Sequence, residues 1–538
     1  MAAPGYGENG SVVGPQNLPT SSAASGVWSL GEMAEAQRGG IWPNPTDGFM
    51  LWMGNFDGDT TTQGDLYFRQ LTPMDSSDAK FYMNGQINNG YLPAPTSFTY
   101  QAVISDTDLT PISSSQKQLK TTSPAAATNT NSSQYNQDYV DSSDNFFGCF
   151  NQGAVASAYS FANSVFYQTD SSHNLVWRVV MTMNNQNTTQ TSWYPHRSGN
   201  YMLGQCAAPT GQPAHYGKLV GFFRANVSSS SSWPQDFYSV SNTRAASYDP
   251  WSGLDAYRGL DAGDDSNSYA MWSGYAAGVQ GPLISKWAGP GFALNYSWNR
   301  FITASGGGTP IHQISAHTST GPVTCGYRSS GNPYPTFMVQ LDASGNISWQ
   351  REWVSATSGN YMWPTQLLAD SSNNLYWFGY YQDSTDTGGS QVRPTIMKVD
   401  SSGNKVWAAS ATVTVSGSTV AYTPADMIFS SDGGLIFVGY GNDGGYKQNI
   451  FVKLADTDSP AGESGSITTG AGSGSTFDWT WLDTTSEFVE STPTHTSGAW
   501  SYWSSTTSTS GWAWSDQSTT GTPTYTAWTS DDVSTGAF

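Results

Sequence analysis

Short runs of alternating apolar and polar residues, separated by turns rich in Ser, Gly and Asn, recur along most of this chain. The runs FMVQLD and TIMKVD, for example, lead into turns at Asp342 and Asp400. Alternation with a period of two predicts strands with one buried face, and short polar turns between them predict antiparallel hairpins. The pattern therefore favours an all-β protein.

One turn template occurs three times, as DSSHNLVW, DASGNISW and DSSGNKVW, beginning at Asp170, Asp342 and Asp400. In each copy an Asn stands four residues after the Asp, and a Trp follows three residues after the Asn. Asp and Asn side chains bond to the backbone of such turns. We expect a strand, an Asx turn and a second strand whose Trp fills the space between neighbouring sheets.

A second template alternates with the first: a β-rich run that ends in Gly-Tyr. Its glycines are Gly274, Gly326, Gly379 and Gly439, and they are separated by 52, 53 and 60 residues. A glycine inside a strand indicates a bulge or a close approach of another backbone. We expect one of these two features at each of the four positions.

The two templates together define a repeat of about 50 to 60 residues with four short strands, which is typical of a β-propeller blade. The sequence thus predicts a propeller of six to eight four-stranded blades over residues 48–461. An array of β-sandwiches with similar hairpins is the alternative. Residues 101–145 contain a polar tract that is expected to be an insertion loop between blades or a domain junction.

The C-terminal extension, residues 462–538, has no Lys or Arg but many tryptophans. Pairs such as FDWTW and GWAWS place Trp residues two apart, as in strands with one aromatic face. These rings are expected to pack against this chain or a neighbouring subunit, or to stack on sugars. The candidate contact residues are Trp479, Trp481, Trp500, Trp503, Trp512 and Trp514.

Residues 1–47 form a leader that contains the single helical pattern near the start. Ser29 and Glu32 make a capping box, with Trp28 and Met33 placed to form a hydrophobic staple. A helix of about ten residues is not stable alone in water, so it must dock on a partner or on the chain's own β-domain. The predicted anchoring residues are Trp28, Leu30, Met33 and Trp42.

This leader resembles the one found in structural proteins of tailed bacteriophages, especially marine and cyanobacterial phages. The similarity is confined to about the first 45 residues and follows the pattern GPxNxPT, ASGVWSL and GxWP. Matching residues are Gly14, Pro15, Asn17, Pro19, Thr20, Gly26, Val27, Trp28, Ser29, Leu30, Gly40, Trp42 and Pro43. The resemblance implies a virion protein of the tail, a fibre or another exposed appendage. The hairpins also resemble repeats of secreted bacterial propellers, which leaves a second origin open.

Charge and composition restrict the partners. With 20 Lys and Arg against 40 Asp and Glu, the formal net charge is −20, which disfavours nucleic acid and anionic membrane surfaces. There is no apolar run long enough to span a membrane and no signal-peptide pattern, so synthesis and folding in a cytoplasm are expected. The three cysteines, Cys149, Cys206 and Cys325, show no metal-binding spacing and are interpreted as buried thiols.

The sequence contains no HExxH, G-x-S-x-G, phosphate-loop or dinucleotide motif, so it predicts no catalytic residues, no cofactor and no metal. Three functions remain. The leading hypothesis is a non-enzymatic structural component of a phage virion, assembled in the host cytoplasm with other virion proteins, as a homo-oligomer or ring. The second is an adhesin of the particle that binds host-surface glycans. The third is a propeller glycosidase or lyase, since forty acidic residues allow many carboxylate pairs.

Overall fold

A computed structural model gives the structure of this chain. The residues it describes are 50–57, 65–74, 79–88, 98–106, 109, 111–112, 115, 117–120, 128–131, 139–141, 143–154, 163–183, 190–195, 201–207, 218–226, 236–242, 260–261, 267–276, 279–288, 296–304, 308–329, 334–357, 359–383, 391–443, 446–468, 476–491, 495–498, 505–506, 512–516, 524–527 and 532–537. All regular structure in these residues is β, with no helix, so the all-β prediction is confirmed. The predicted leader helix, with Trp28, Leu30, Met33 and Trp42, lies outside them.

Among the described residues, thirty strands precede the C-terminal extension and eight lie within it. The first fifteen are β1 Met50–Asp57, β2 Asp65–Pro73, β3 Lys80–Asn88, β4 Phe98–Ser105, β5 Lys117–Lys120, β6 Thr128–Asn131, β7 Tyr139–Val140, β8 Phe146–Ala154, β9 Asn163–Thr169, β10 Leu175–Met183, β11 Gln190–Pro195, β12 Tyr201–Ala207, β13 Lys218–Asn226, β14 Asp236–Asn242 and β15 Leu260–Asp261. The next fifteen are β16 Asn267–Ala276, β17 Val279–Ala288, β18 Tyr296–Ala304, β19 Pro310–Thr318, β20 Gly321–Arg328, β21 Thr336–Leu341, β22 Ile347–Ser355, β23 Tyr361–Ala369, β24 Leu375–Asp383, β25 Gln391–Val399, β26 Lys405–Val415, β27 Ser418–Thr419, β28 Tyr422–Phe429, β29 Leu435–Asp443 and β30 Tyr446–Leu454. The last eight are β31 Ser464–Thr468, β32 Thr476–Asp483, β33 Phe488–Ser491, β34 His495–Gly498, β35 Ser505–Thr506, β36 Trp512–Asp516, β37 Thr524–Ala527 and β38 Asp532–Ala537.

Strands that follow one another along the chain pair antiparallel, and in the described residues they form seven sheets. We number the sheets in chain order. Sheet 1 is β2–β5, sheet 2 is β6–β10 with both β6 and β7 on β8, sheet 3 is β11–β14, sheet 4 is β15–β18, sheet 5 is β19–β22 and sheet 6 is β23–β26 with the short β27. Sheet 7 is built differently, because β28–β30 are completed by β1 from the start of the described chain.

The C-terminal strands β32–β38 add one further antiparallel strand to each sheet. In chain order they join sheets 6, 5, 4, 3, 2, 1 and 7, where β38 pairs with β1. Sheet 6 also gains β31, on the far side of β32. The extension is therefore bound within its own chain, to one edge of each of the seven sheets.

Among the described residues, buried apolar side chains pack between five pairs of sheets. Separate cores lie between sheets 1 and 2, 4 and 5, 5 and 6, 6 and 7, and 7 and 1. The core between sheets 7 and 1 includes Leu71, Phe81, Ile436 and Phe451, so the first and last sheets of the series are in contact. Strand β19 is buried at nearly every position, as expected for a sheet covered on both faces.

The Asp-x-x-x-Asn turns have the predicted Asx form. In the turn at Asp342, one carboxylate oxygen accepts the backbone N–H groups of Ser344 and Asn346, and the other accepts the Asn346 side-chain amide. The same three bonds recur at Asp170 and Asp400. A left-handed residue precedes each Asn, such as Gly345 with φ of 81°, which explains the recurrent Gly.

Two of the three Trp residues after these turns, Trp349 and Trp407, lie against the next sheet, as predicted. A Cβ atom added to Gly403, in the turn of sheet 6, would lie 2.6 Å from the ring of Trp349 in sheet 5. The equivalent Trp298 of sheet 4 donates its indole N–H to the carbonyl oxygen of Ala343 in sheet 5, at 2.8 Å. Turn and Trp thus couple neighbouring sheets.

The segment 101–145, expected to be an insertion loop or a domain junction, contains strands where the structure describes it. This segment completes β4 and supplies β5, β6 and β7, which belong to sheets 1 and 2. Its Thr- and Asn-rich composition concealed the strands, because a polar strand at a sheet edge gains little from apolar alternation. Among the described residues there is no helix with the length and apolarity to cross a membrane.

Candidate functional site: an aromatic cluster on sheets 5 to 7

The Gly-Tyr positions lie opposite β-bulges. In sheet 6 the ladder between β23 and β24 shifts between Pro364 and Gln366, directly opposite Gly379. A Cβ atom at Gly379 would lie 2.1 Å from the carbonyl oxygen of Trp363, closer than any side chain permits. The same shift faces Gly326 in sheet 5 and Gly439 in sheet 7. The prediction of a bulge or close approach is confirmed at these three positions.

Because the repeat places one tyrosine after each of these glycines, phenol rings gather at the same end of neighbouring sheets. In a sheet of consecutive antiparallel strands, the start of the first strand, the end of the second and the start of the third lie at the same end of the sheet. Tyr327 and Tyr380 end their second strands there, Tyr361 and Trp363 begin β23, and Tyr334 precedes β21. We call these five residues the aromatic cluster.

The rings of the aromatic cluster contact one another in a continuous row. Tyr327 stacks on Trp363 with ring centroids 4.3 Å apart, and Trp363 lies nearly parallel to Tyr380 at 6.3 Å. Tyr334 is tilted against Tyr327 and against Tyr361, at 6.1 and 5.9 Å. Such offset and tilted pairs are the favourable aromatic arrangements. The cluster is therefore pre-organised.

The phenol of Tyr380 stays neutral at physiological pH. The pKa of Tyr380 is raised to about 12, first by burial and then by the neighbouring phenols of Tyr361, Tyr327 and Tyr440. A neutral phenol both donates and accepts hydrogen bonds. The cluster therefore offers apolar ring surface together with polar hydroxyl groups, but no charge.

A buried charged group lies next to the cluster. Arg328, which follows Tyr327, donates to Glu352 Oε2 at 3.0 Å, and the hydroxyl of Ser491 is 3.3 Å from the same oxygen. His495 Nε2 is 3.3 Å from Glu352 Oε1. Burial, with Arg328 acting in the same direction, lowers the pKa of His495 to about 4. His495 is thus neutral at pH 7, and Glu352 is paired with Arg328.

This group and a second one attach the C-terminal extension to sheet 5, since Ser491 and His495 belong to the extension. In the second, Glu487 Oε1 accepts hydrogen bonds from Ser355 at 2.5 Å and from Tyr381 at 2.7 Å. Burial raises the pKa of Glu487, but the hydrogen bonds that its carboxylate accepts, from Ser355 and Tyr381 among others, together outweigh burial. The pKa of Glu487 is therefore lower than usual. Both groups join side chains of the extension to side chains of sheet 5 through Glu352 Oε2 and Glu487 Oε1, and they serve as anchors.

Two of the predicted tryptophan contacts are interior. Trp479 is 0 % and Trp481 1 % exposed, and both pack between sheets 6 and 7 with Phe437. The expectation that they stack on sugars or touch another subunit does not hold, because sheet packing covers both rings. Trp512 and Trp514 lie in β36, which pairs with β10. Trp500 and Trp503 lie outside the described residues.

The described residues contain no group of three His, Cys, Asp or Glu arranged to hold a metal ion. Cys325 is a free thiol within the core between sheets 5 and 6, and burial raises its pKa. Sequence reasoning identified the Gly-Tyr repeat but treated it as structural only. It missed Tyr334, Tyr361 and Trp363, which lie outside both templates and reach the cluster through the pairing of the strands.

No protein-family model and no characterised protein sequence matches this chain. Three solved structures with partial similarity are enzymes. A mannose phosphorylase from Leishmania mexicana has 8 % identity and a TM-score of 0.26, over 73 % of this chain and 85 % of its own. The polysaccharide lyase Uly1 has 10 % identity and a TM-score of 0.32, over 76 % of this chain and 100 % of its own. A luciferin-regenerating enzyme has 11 % identity and a TM-score of 0.24, over 59 % of this chain and 90 % of its own. These scores are too low to bear on function.

Proposed function

We propose that the seven sheets are the blades of a β-propeller. Each sheet is a series of consecutive antiparallel strands, and sheets 1 and 7 share a core. Strand β1 completes sheet 7, so that the two ends of the strand series meet in one sheet. A propeller accounts for these features together, because closing a ring of sheets leaves no sheet face uncovered.

The path of the C-terminal strands supports the same arrangement. Between β32 and β38 the connections are only three to seven residues long, so each spans at most roughly 25 Å when extended. Strands with such short connections can join seven sheets one after another only if the edges of those sheets lie side by side. In the proposed ring, the order 6, 5, 4, 3, 2, 1, 7 passes every sheet once.

We further propose that the protein is a non-enzymatic structural component of a tailed-phage virion, in the tail, a fibre or another exposed appendage. The main support for this proposal is that the C-terminal extension adds one strand to every sheet. Opening any blade requires peeling away a strand held by its neighbours, which raises the barrier to unfolding. The same strands cover edges that would otherwise pair with other chains. A particle exposed to proteases and dilution needs such a platform.

On this proposal the leader anchors the platform to other virion proteins through Trp28, Leu30, Met33 and Trp42. The protein is assembled in the host cytoplasm and forms a homo-oligomer or ring in the particle, without nucleic acid or membrane as a partner. The phage-like leader pattern and the net charge of −20 support these assignments.

Mass spectrometry of particles purified from the source culture tests the virion role. We expect the chain in many copies per particle, at a constant ratio to the major structural proteins across a density gradient. Its absence from purified particles would overturn the proposal.

A second measurement tests the anchor. Particles made with Trp28→Ala, Trp42→Ala or the double variant are expected to contain several-fold less of the protein. Leu18→Ala is the matched control in the same leader, because Leu18 is not a predicted anchoring residue. If incorporation is unchanged in the double variant, the leader is not the anchor.

A further inference from the structure

The aromatic cluster leaves ring surface in solvent. Tyr334 is 37 % exposed, and the other four members are partly exposed. The other exposed large apolar side chains among the described residues are aliphatic: Val176, Val406, Leu482 and Val489. Tyr334 therefore differs from isolated surface residues, because it extends a row of contacting rings.

The chemistry of the aromatic cluster fits a ligand that is both apolar and rich in hydroxyl groups. Ring faces take up C–H surface, and phenol hydroxyl groups donate and accept hydrogen bonds at the ring edges. A hexopyranose presents C–H groups on its ring faces and hydroxyl groups around its edge. Aromatic walls with a few polar groups are the usual composition of a small-molecule site.

The charges around the cluster select against ionic ligands. Arg328 is engaged by Glu352, and the chain carries a net charge of −20, so a polyanion is disfavoured. An aromatic cage for a cation directs several ring faces at one point within about 6 Å. Here Tyr327, Trp363 and Tyr380 are stacked on one another instead.

We propose that the aromatic cluster is a binding site for an uncharged saccharide, seated on the exposed face of Tyr334 and hydrogen-bonded by the neighbouring phenols of Tyr327 and Tyr361. This assignment deepens the proposed function, since a saccharide site on a virion platform would contact glycans of the host surface. It names a site different from the tryptophans of the C-terminal extension.

The test is binding of the full chain to a printed array of uncharged glycans, followed by calorimetric titration with cellotetraose, maltotetraose and mannotetraose. We expect saturable binding to at least one uncharged glycan, and none to heparin or choline. Tyr334→Ala should weaken binding at least tenfold. Tyr334→Phe should weaken it less, because the ring face remains. Val489→Ala removes an apolar side chain elsewhere that is 47 % exposed, and this variant should bind as the wild type does.

Absence of binding to every uncharged glycan, or unchanged affinity in Tyr334→Ala, would overturn the saccharide site. Binding of choline or heparin instead would also overturn it, in favour of a cationic or anionic ligand. Circular dichroism of Tyr334→Ala separates loss of ligand from loss of fold. The virion role is tested separately, because only the absence of the chain from purified particles would overturn it.

Discussion

At the scale of single residues, glycine decides where one strand can approach another. Gly439 pairs opposite the bulge of β28, where a Cβ atom would lie 2.4 Å from the carbonyl oxygen of Thr423. Gly441, two residues later on β29, has its nearest neighbour at 3.3 Å, a carbon of the Phe477 ring. The same strand thus holds one glycine that is required by its surroundings and one that is not.

Gly439→Ala should destabilise the protein by about 2 kcal/mol or more, because either the backbone of β28 or the ring of Tyr422 must move. Gly441→Ala should stay within about 1 kcal/mol of the wild type, since the Phe477 ring can shift by a few tenths of an ångström. Urea denaturation followed by tryptophan fluorescence measures both. Equal losses in the two variants would contradict the role given to the bulge.

An acid-dependent contribution comes from Asp342. Its carboxylate accepts the backbone N–H of Asn346, which lowers its pKa below the ordinary value. A depressed folded-state pKa stabilises the fold above the unfolded-state pKa of about 3.9, and this contribution is lost as the pH falls through the folded-state pKa. The wild type should therefore melt at a higher temperature than Asp342→Asn at pH 7, and the difference should shrink toward pH 3. A constant difference at both pH values would contradict this.

At the scale of elements, strand β32 of the C-terminal extension buries one face and exposes the other. In β32 the alternation places Phe477, Trp479 and Trp481 inside, with Asp478 and Thr480 outside. Trp479 and Trp481 join the core between sheets 6 and 7, so β32 is part of that core as well as of the sheet edge. The extension is therefore integral to the fold.

Trp481→Ala should cost about 3 to 5 kcal/mol, the range for removing a large buried aromatic side chain. The control is Leu482→Ala on the same strand, where Leu482 is 42 % exposed; surface substitutions of this kind usually change stability by about 0.5 kcal/mol or less. Thermal unfolding of the two variants checks the prediction. Similar melting temperatures would show that β32 does not stabilise the core.

At the scale of the whole molecule, a buried ion pair joins the first and last sheets. Lys453 of β30 in sheet 7 is 2.9 Å from Asp106 Oδ1, just after β4 in sheet 1, and 2.7 Å from Asp432 Oδ2. It also donates to the carbonyl oxygen of Asp106 at 2.7 Å. A second link lies nearby: Asp426 of sheet 7 accepts from Gln366 of sheet 6 and from the backbone of Leu71 in sheet 1. Lys453 and Asp106 are 347 positions apart in the sequence, and Asp426 and Leu71 are 355 apart.

Lys453→Met should destabilise the protein by about 3 to 5 kcal/mol, because it leaves Asp106 buried without its cation. The double variant Lys453→Met, Asp106→Leu should recover part of that loss, since replacing both partners by apolar residues removes the unpaired charge. Urea denaturation of Lys453→Met, Asp106→Leu and the double variant measures the coupling. A double variant as unstable as the sum of both single variants would contradict the pairing.

The sequence alone determined the features that depend on neighbouring residues. Alternation predicted the strands, and the Asp-x-x-x-Asn template predicted turns whose hydrogen bonds close within five residues, as at Asp342 and Asp400. The Gly-Tyr repeat predicted bulges or close approaches, as found at Gly326 and Gly379. These features are local, so the residues that form them also reveal them.

Only the tertiary structure decided which distant edges pair. The burial of Trp479, the strands hidden in residues 101–145 and the meeting of Lys453 with Asp106 all depend on contacts between remote segments. The sequence indicated only part of the aromatic cluster. The Gly-Tyr repeat contains Tyr327 and Tyr380, but only strand pairing places Trp363 between them. A strand's own residues set which face is apolar, whereas the edge it joins depends on every other strand that competes for that edge.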